Sequence, residues 1–366
     1  METLDAVIVG GGQAGLSLSY FLSAHGISHV ILERDRAFSV WHGRWDTFRM
    51  NTANWMNVLP GHRREFVPGK DPDRTASRLE ALSYFNDYLE STKPPLREQT
   101  QVLQVQQESD VSWLITTTDG KYRTPNVVIC TGQDSDPKFP EVASHIPHEI
   151  PTLHSSEYRN PAQIETRNVL VVGSGSSGVQ ICEDMARSDR FAAVYLSVSG
   201  NLVIPWEILG VPVGTIVRRL NVFNVQCESW TGRRICDSKD KGFPAMAPSP
   251  AWLKKTYGIR LVGKVTNIQA DRIACSDGNT VPLVSLSIIW CTGFASRYEF
   301  LHVRKRNRVF NNKGKPIHLR GVIPAAPGLD FVGLKWQHTV SSHLLYGVGR
   351  DADYIAQHIR IRQRNL

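Results

Sequence analysis

Three glycines at G-x-G-x-x-G spacing, Gly10, Gly12 and Gly15, carry the first chemical signal in this chain. Such a turn between a strand and a helix gathers backbone N–H groups at the positive end of a helix dipole, where a pyrophosphate binds. The first glycine permits the tight turn, the second lets backbone approach the phosphates, and the third lets helix pack on strand. Gln13 and Ala14 fill the positions between. The elements needed to position this turn surround it. Residues 6–9 (Ala-Val-Ile-Val) read as a buried strand, residues 16–24 as a helix capped by Gly26, and residues 29–32 as the next strand. Glu33 ends that strand as an acid able to accept from ribose hydroxyls, with Arg34 beside it. Strand, glycines, helix, strand and acid in this order specify a dinucleotide site rather than a Gly-rich turn.

The pattern recurs. Residues 169–172 form a strand ahead of Gly173, Gly175 and Gly178, with Ser174, Ser176 and Ser177 between them. A helix then runs to Arg187 and a strand over 193–198. Two fingerprints imply two nucleotide cofactors on two related domains. Each half closes with a buried strand running into Thr-Gly, at Thr131-Gly132 and at Thr292-Gly293. The second fingerprint strand leads to Ser199-Gly200-Asn201, with neither the arginine that grips a 2′-phosphate nor the acid that selects a free ribose. This predicts a pocket permissive for NADPH or NADH, with Ser199 and Asn201 bonding either ribose. Arg218 or Arg219 folding back to the phosphate is the alternative.

Between the fingerprints lies an aromatic stretch, residues 36–68, containing Phe38, Trp41, Trp45, Phe48, Trp55 and Phe66. A loop this rich in tryptophan is costly to leave in water, and a flat apolar ring such as an isoalloxazine would cover it. A satellite hydrophobic cluster is the competing explanation. Apolar residues at helical spacing mark a helix over 78–89, residues 102–105 and 111–117 read as antiparallel strands, and Asp119-Gly120 supplies a hairpin-type turn after them. Residues 199–258, rich in proline and glycine, read as loops with short helices such as 213–220. A small meander over 261–281 and a last helix over 352–361 complete the chain.

With 366 residues and 41% hydrophobic content, the chain is long enough for two packed domains and too apolar for disorder. No apolar run reaches membrane-span length and the N-terminus enters a strand directly, so a cytoplasmic protein without membrane association is expected. The formal charge of +8 is scattered, apart from clusters at 304–308 and 360–364, and no nucleic-acid motif accompanies it. The six cysteines form no C-x-x-C, so neither a redox dithiol nor a metal site is indicated.

These motifs resemble the class B flavoprotein monooxygenases, a group spanning flavin-containing monooxygenases, Baeyer–Villiger enzymes, N-hydroxylases and YUCCA-like enzymes. The resemblance covers nearly the whole chain. It rests on GGGQAG at 10–15, RWDTFRMNTANW at 44–55, TGQDSDPKFP at 131–140, HSSEY at 154–158, GSGSSG at 173–178 and CTGF at 291–294. The family's linker signature is only partial, because residues 149–153 lack its upstream Phe and Gly. The chain is also shorter than most members.

The resemblance implies an α/β fold of two Rossmann-like domains, the NAD(P) domain inserted in the FAD domain. FAD binding falls to residues 1–160 and 290–366, and NAD(P)H binding to 161–289. It implies FAD at the first fingerprint, NADPH or NADH at the second, and oxygenation of a small organic substrate by O2 through a C4a-(hydro)peroxyflavin. Asn51 falls where the family places an asparagine near the flavin edge, and Asn54 competes for that role. Their ordinary alternative is a turn residue bonding its own backbone. An FAD-dependent reductase passing electrons to a quinone or protein partner is the alternative function, and assembly as a homodimer is left open.

Overall fold

The computed structural model describes residues 1–62, 64–132, 136–200, 203–204, 207–237, 245–269 and 271–364. Of the residues singled out above, Gln133, Asp134, Ser135 and Asn201 lie outside this range.

Two five-stranded parallel sheets form the body of the α/β fold. The first takes its strands from both ends of the chain, in the order Leu329–Phe331, Val127–Ile129, Ala6–Val9, His29–Leu32 and Leu96–Arg97. The second is ordered Thr152–His154, Leu286–Trp290, Asn168–Val172, Ala193–Ser197 and Arg260–Val262. In each sheet the fingerprint strand is central, with the Thr-Gly strand on one side and the fingerprint's second strand on the other. Central parallel strands are covered on both faces, which is why Ala6–Val9 and residues 169–172 are continuous apolar runs with every residue buried. Each half also inserts a three-stranded antiparallel meander before its Thr-Gly strand, over residues 102–124 in the first and 265–282 in the second.

Helix Gln13–Ala24 lies between the first sheet and helix Leu345–Gln363. Helix Arg78–Thr92 starts at a capping box, with Glu80 accepting from the Ser77 N–H at 2.8 Å, and ends at left-handed Lys93 before two prolines. The C-terminal helix begins seven residues earlier than the sequence pattern suggests. Its glycines are packing residues inside the helix: a Cβ on Gly347 would strike the Ser341 carbonyl, and one on Gly349 would crowd Pro60. The short helix expected over 213–220 is present as Val213–Arg219, and helices Trp230–Asp237 and Pro250–Tyr257 join it in the same stretch. Among the described residues, no helix is long and apolar enough to cross a membrane and no group of three or more potential metal ligands converges.

Candidate functional site

The two glycine turns have nearly the same geometry. Gly10 and Gly173 both sit at φ +111°, where an added Cβ would fall 2.6 Å from the Cys130 carbonyl oxygen and 2.5 Å from that of Cys291. A Cβ on Gly15 would drive into the carbonyl of Gly10, and one on Gly178 into that of Gly173. Gly12 differs in kind: a Cβ there meets no atom within 4 Å. The space in front of helix Gln13–Ala24 is open, and that helix has no acid in its first turn to repel an anion. Ser176–Arg187 likewise starts at an extended glycine, Gly175, with no acid in its first turn.

The polar residues around these turns are already engaged. Glu33 accepts from the Gly11 N–H at 2.6 Å and from the Asp35 N–H at 3.0 Å, so it braces the turn while each oxygen keeps acceptor capacity. Gln13 donates to the His343 carbonyl at 2.7 Å, fixing the segment that enters the C-terminal helix. Ala14 is buried, facing Gly333. Arg34 is exposed and pairs with Asp35. Thr131 and Gly132 border a crevice with Tyr298, Phe331 and Gly333 that is too narrow to admit a water molecule. In the second half Thr292 donates to the Lys138 carbonyl, tying the Thr-Gly turn to the preceding linker.

Most of the aromatic stretch forms a hydrophobic cluster on helix Arg78–Thr92. Phe38 stacks on Phe85 at 4.2 Å, and Trp45 packs edge-on against Phe48 at 5.0 Å. Trp45 is 1% exposed, so the expected cover for a flavin ring has no open face to offer. Trp41, partly buried, packs against Phe48 and Phe85. Trp55 turns elsewhere, meeting Tyr346 at 5.3 Å and the Arg218 guanidinium at 5.9 Å.

The two asparagines separate clearly. Asn51 is half-buried and lies against the second fingerprint helix, its Oδ1 accepting from Ser176 Oγ and from Gln180 Nε2 at 2.9 Å. Asn54 is 5% exposed and its Nδ2 donates to the Asp71 carbonyl at 3.1 Å, a contact to a distant segment rather than to its own turn. The structure therefore brings Asn51, not Asn54, to the seam between the halves. Sequence reasoning missed Gln180, whose place four residues after Ser176 puts both on one helix face.

His154 and Tyr158 fasten the entry into the second half, His154 at the end of strand Thr152–His154 and Tyr158 just beyond it. His154 Nε2 donates to the Gly293 carbonyl at 3.0 Å while Nδ1 accepts from the Ser156 N–H at 3.2 Å, which makes the ring neutral. Burial lowers its pKa below the usual imidazole range, against the raising effects of the Gly293 bond and Glu157. Tyr158, fully buried, donates to Asp184 of the second fingerprint helix at 2.6 Å.

The Gly10 N–H bonds the Leu32 carbonyl and, at the matching place in the second half, the Gly173 N–H bonds that of Ser197. Val198 therefore holds the place of Glu33. It lines a cleft of about 460 Å³ with Ser249, Leu261, Gly263 and Asp277. The sequence offers no acid after this strand, but the meander supplies Asp277, whose Oδ2 accepts from the Gly263 N–H at 2.7 Å. Ser199 is exposed beside the cleft-lining Val198. Arg218 does not fold back to this place: it pairs with Asp73 at 3.2 Å, and Asp73 also accepts from Thr215.

Comparison with known proteins now adds the lineage. Residues 7–202 match the family model for pyridine nucleotide-disulphide oxidoreductases. An uncharacterized CzcO-like oxidoreductase of Geobacillus kaustophilus is 32% identical over 97% of this chain and 98% of its own length. The rice indole-3-pyruvate monooxygenase YUCCA4 is 27% identical, covering 100% of this chain and 89% of the relative. Among solved structures, the flavin-containing monooxygenase of Stenotrophomonas maltophilia shares the fold at a TM-score of 0.75 and 22% identity, covering 99% of both chains.

Proposed function

The chain belongs to the pyridine nucleotide-disulphide oxidoreductase family, and from that membership we propose that it is a cytoplasmic FAD-dependent monooxygenase. It uses NAD(P)H and O2 to oxygenate a small organic substrate. The observation that carries this is Asn51, a polar side chain on the loop of the first half held against the fingerprint helix of the second. The flavin monooxygenase among the fold neighbours and the indole-3-pyruvate monooxygenase among the relatives support the same reading.

Under this reading the FAD-binding domain comprises both ends of the chain. The NAD(P)H-binding domain begins at strand Thr152–His154, which pairs into the second sheet ahead of the boundary at 160 drawn from the sequence. The open space at Gly12 accepts the FAD pyrophosphate, with the backbone of Gln13 and Ala14 at the helix N-terminus and Glu33 available to a ribose hydroxyl. Gly175, Ser176 and Ser177 present the matching helix start to NAD(P)H. Bound FAD supplies hydride acceptance and oxygen activation. The chain's own residues would hold FAD at the Gly10–Gly15 turn and NAD(P)H at the Gly173–Gly178 turn. The Asn51 amide offers a preorganised N–H to a reacting oxygen, and the aromatic cluster on helix Arg78–Thr92 keeps water from the loop behind it.

The reaction balances as NAD(P)H, a proton, O2 and substrate giving NAD(P)+, oxygenated substrate and water. Reaction under ¹⁸O2 with a metabolite panel tests it. One labelled oxygen in product and one in water is the expected result. NAD(P)H oxidation with unlabelled product and electrons recovered on a quinone would replace it with the reductase reading.

A further inference from the structure

Gln180 is 6% exposed on the second fingerprint helix, and its amide has only one possible orientation. The Arg49 N–H can only donate, and it meets Gln180 Oε1 at 3.0 Å. The Arg49 carbonyl can only accept, and it meets Gln180 Nε2 at 3.1 Å. The nitrogen of Gln180 is thus the atom that reaches Asn51, at 2.9 Å, and a donor there requires an acceptor opposite. Asn51 must present Oδ1 to the helix, where the Ser176 hydroxyl also donates to it. Its Nδ2 is turned away from the helix by elimination. An asparagine at a loop edge is normally free to flip its amide, exchanging donor for acceptor at no steric cost. Here backbone polarity at residue 49 is transmitted through one glutamine to forbid the flip.

We infer that Gln180, assisted by Ser176, is a positioning residue that sets which end of the Asn51 amide faces the reacting oxygen. It also ties that choice to the NAD(P)H-binding helix. The inference rests on the monooxygenase reading for its catalytic consequence, although the clamp itself does not. Gln180 and Ser176 lie one helical turn apart, at or just behind the start of the helix, so the element that receives the nicotinamide nucleotide also orients the donor.

The decisive variant is Gln180→Glu, nearly identical in shape. A carboxylate still accepts from the Arg49 N–H but donates to nothing, so Asn51 satisfies it by turning Nδ2 inward, leaving Oδ1 toward the reacting oxygen. Gln180→Met removes the clamp without imposing the reverse orientation, and guards against a folding failure of the first variant. In Gln180→Glu, product formed per NAD(P)H should fall about tenfold or more with a matching rise in released hydrogen peroxide, approaching the Asn51→Ala level. NAD(P)H should still reduce the protein within about twofold of the wild-type rate, as the reducing geometry is untouched. Gln180→Met should fall between. In an Asn51→Ala background neither change should lower coupling further.

A second readout needs no cofactor. In the apoprotein, the melting-temperature losses of Asn51→Ala and Gln180→Met should be clearly less than additive. Wild-type coupling in Gln180→Glu, or an equal further loss in the Asn51→Ala background, overturns the inference, as do additive melting losses. Should the wild type incorporate no labelled oxygen, the monooxygenase reading fails, while the apoprotein melting cycle still decides whether the clamp exists.

Discussion

At Gly10 and at Gly173 the backbone takes the same φ, bonds the same place on the neighbouring strand and passes equally close to the carbonyl of a cysteine. One residue beyond that neighbouring strand the likeness ends. Glu33 turns back to hold the Gly11 N–H, while Val198 has no polar group, and Ser174, in the place of Gly11, is fully buried with no hydrogen-bond partner for its hydroxyl among the described residues. The first turn is thus locked by its own acid. The second relies on residues from elsewhere: Asn51 at the helix start and Asp277 in the cleft beside Val198. Glycine geometry repeats because backbone closure leaves no alternative, whereas the choice of nucleotide is free to drift with side chains around it.

The largest effects should come from breaking the glycine frame. Gly12→Val finds room for its side chain, so the protein should fold yet lose FAD affinity by at least about 100-fold, measured by flavin retention and titration. Gly15→Val and Gly178→Val should instead fail to fold, because the collision is with backbone. A folded Gly15→Val variant would mean that the strand–helix packing is not as close as it stands. Asn51→Ala should cut product formation by about 10²–10³ with reduction retained. Asn54→Ala, whose amide only bonds the Asp71 carbonyl, should leave coupling unchanged and cost about 1 kcal/mol of stability in denaturant unfolding.

The strand-end difference predicts coenzyme behaviour. Among the described residues no arginine lines the cleft, and Arg218 is paired to Asp73, so preference for NADPH over NADH should stay below about 100-fold in kcat/KM, or roughly 2.7 kcal/mol. Val198→Asp, which restores the acid of the first fingerprint, should move the ratio about tenfold toward NADH. A shift toward NADPH would show that the ribose does not lie at Val198.

The smallest effect concerns pH at the end of strand Thr152–His154, where the chain enters the second sheet. His154 has a lowered pKa through burial, so the unfolded chain binds its proton more readily. Its contribution is complete above about pH 6.5 and is lost as pH falls from there toward the lowered native value. His154→Gln, able to donate to Gly293 without titrating, should show a shallower fall in melting temperature between about pH 7 and 5.5 than the wild type.

The resemblance to the class B monooxygenases, the α/β fold and both glycine turns were legible because each is written in contiguous residues. A strand's apolar run and glycines at fixed spacing need no distant partner to be recognised. The aromatic stretch misled for a physical reason. Tryptophan demands burial, but composition does not say what buries it: Trp45 is covered with Phe48 against it, while Trp41, against Phe85, stays partly exposed. Within residues 199–258 the helix at Val213–Arg219 was legible, but the other helices were not, because they are short and the segment is held by contacts to other parts of the chain, such as Thr215 to Asp73 and Ser341 to the Phe223 carbonyl.

By itself, then, the sequence determined the two nucleotide turns and the strands and helices that carry them, since hydrophobic period and backbone sterics act over a few residues. Tertiary structure alone decided that Asn51 rather than Asn54 meets the second helix, that Gln180 dictates its orientation, and that Asp277 stands in the cleft beside Val198. Hydrogen bonds and charges act through space at about 3 Å, and these partners are separated along the chain by far more than any local pattern spans.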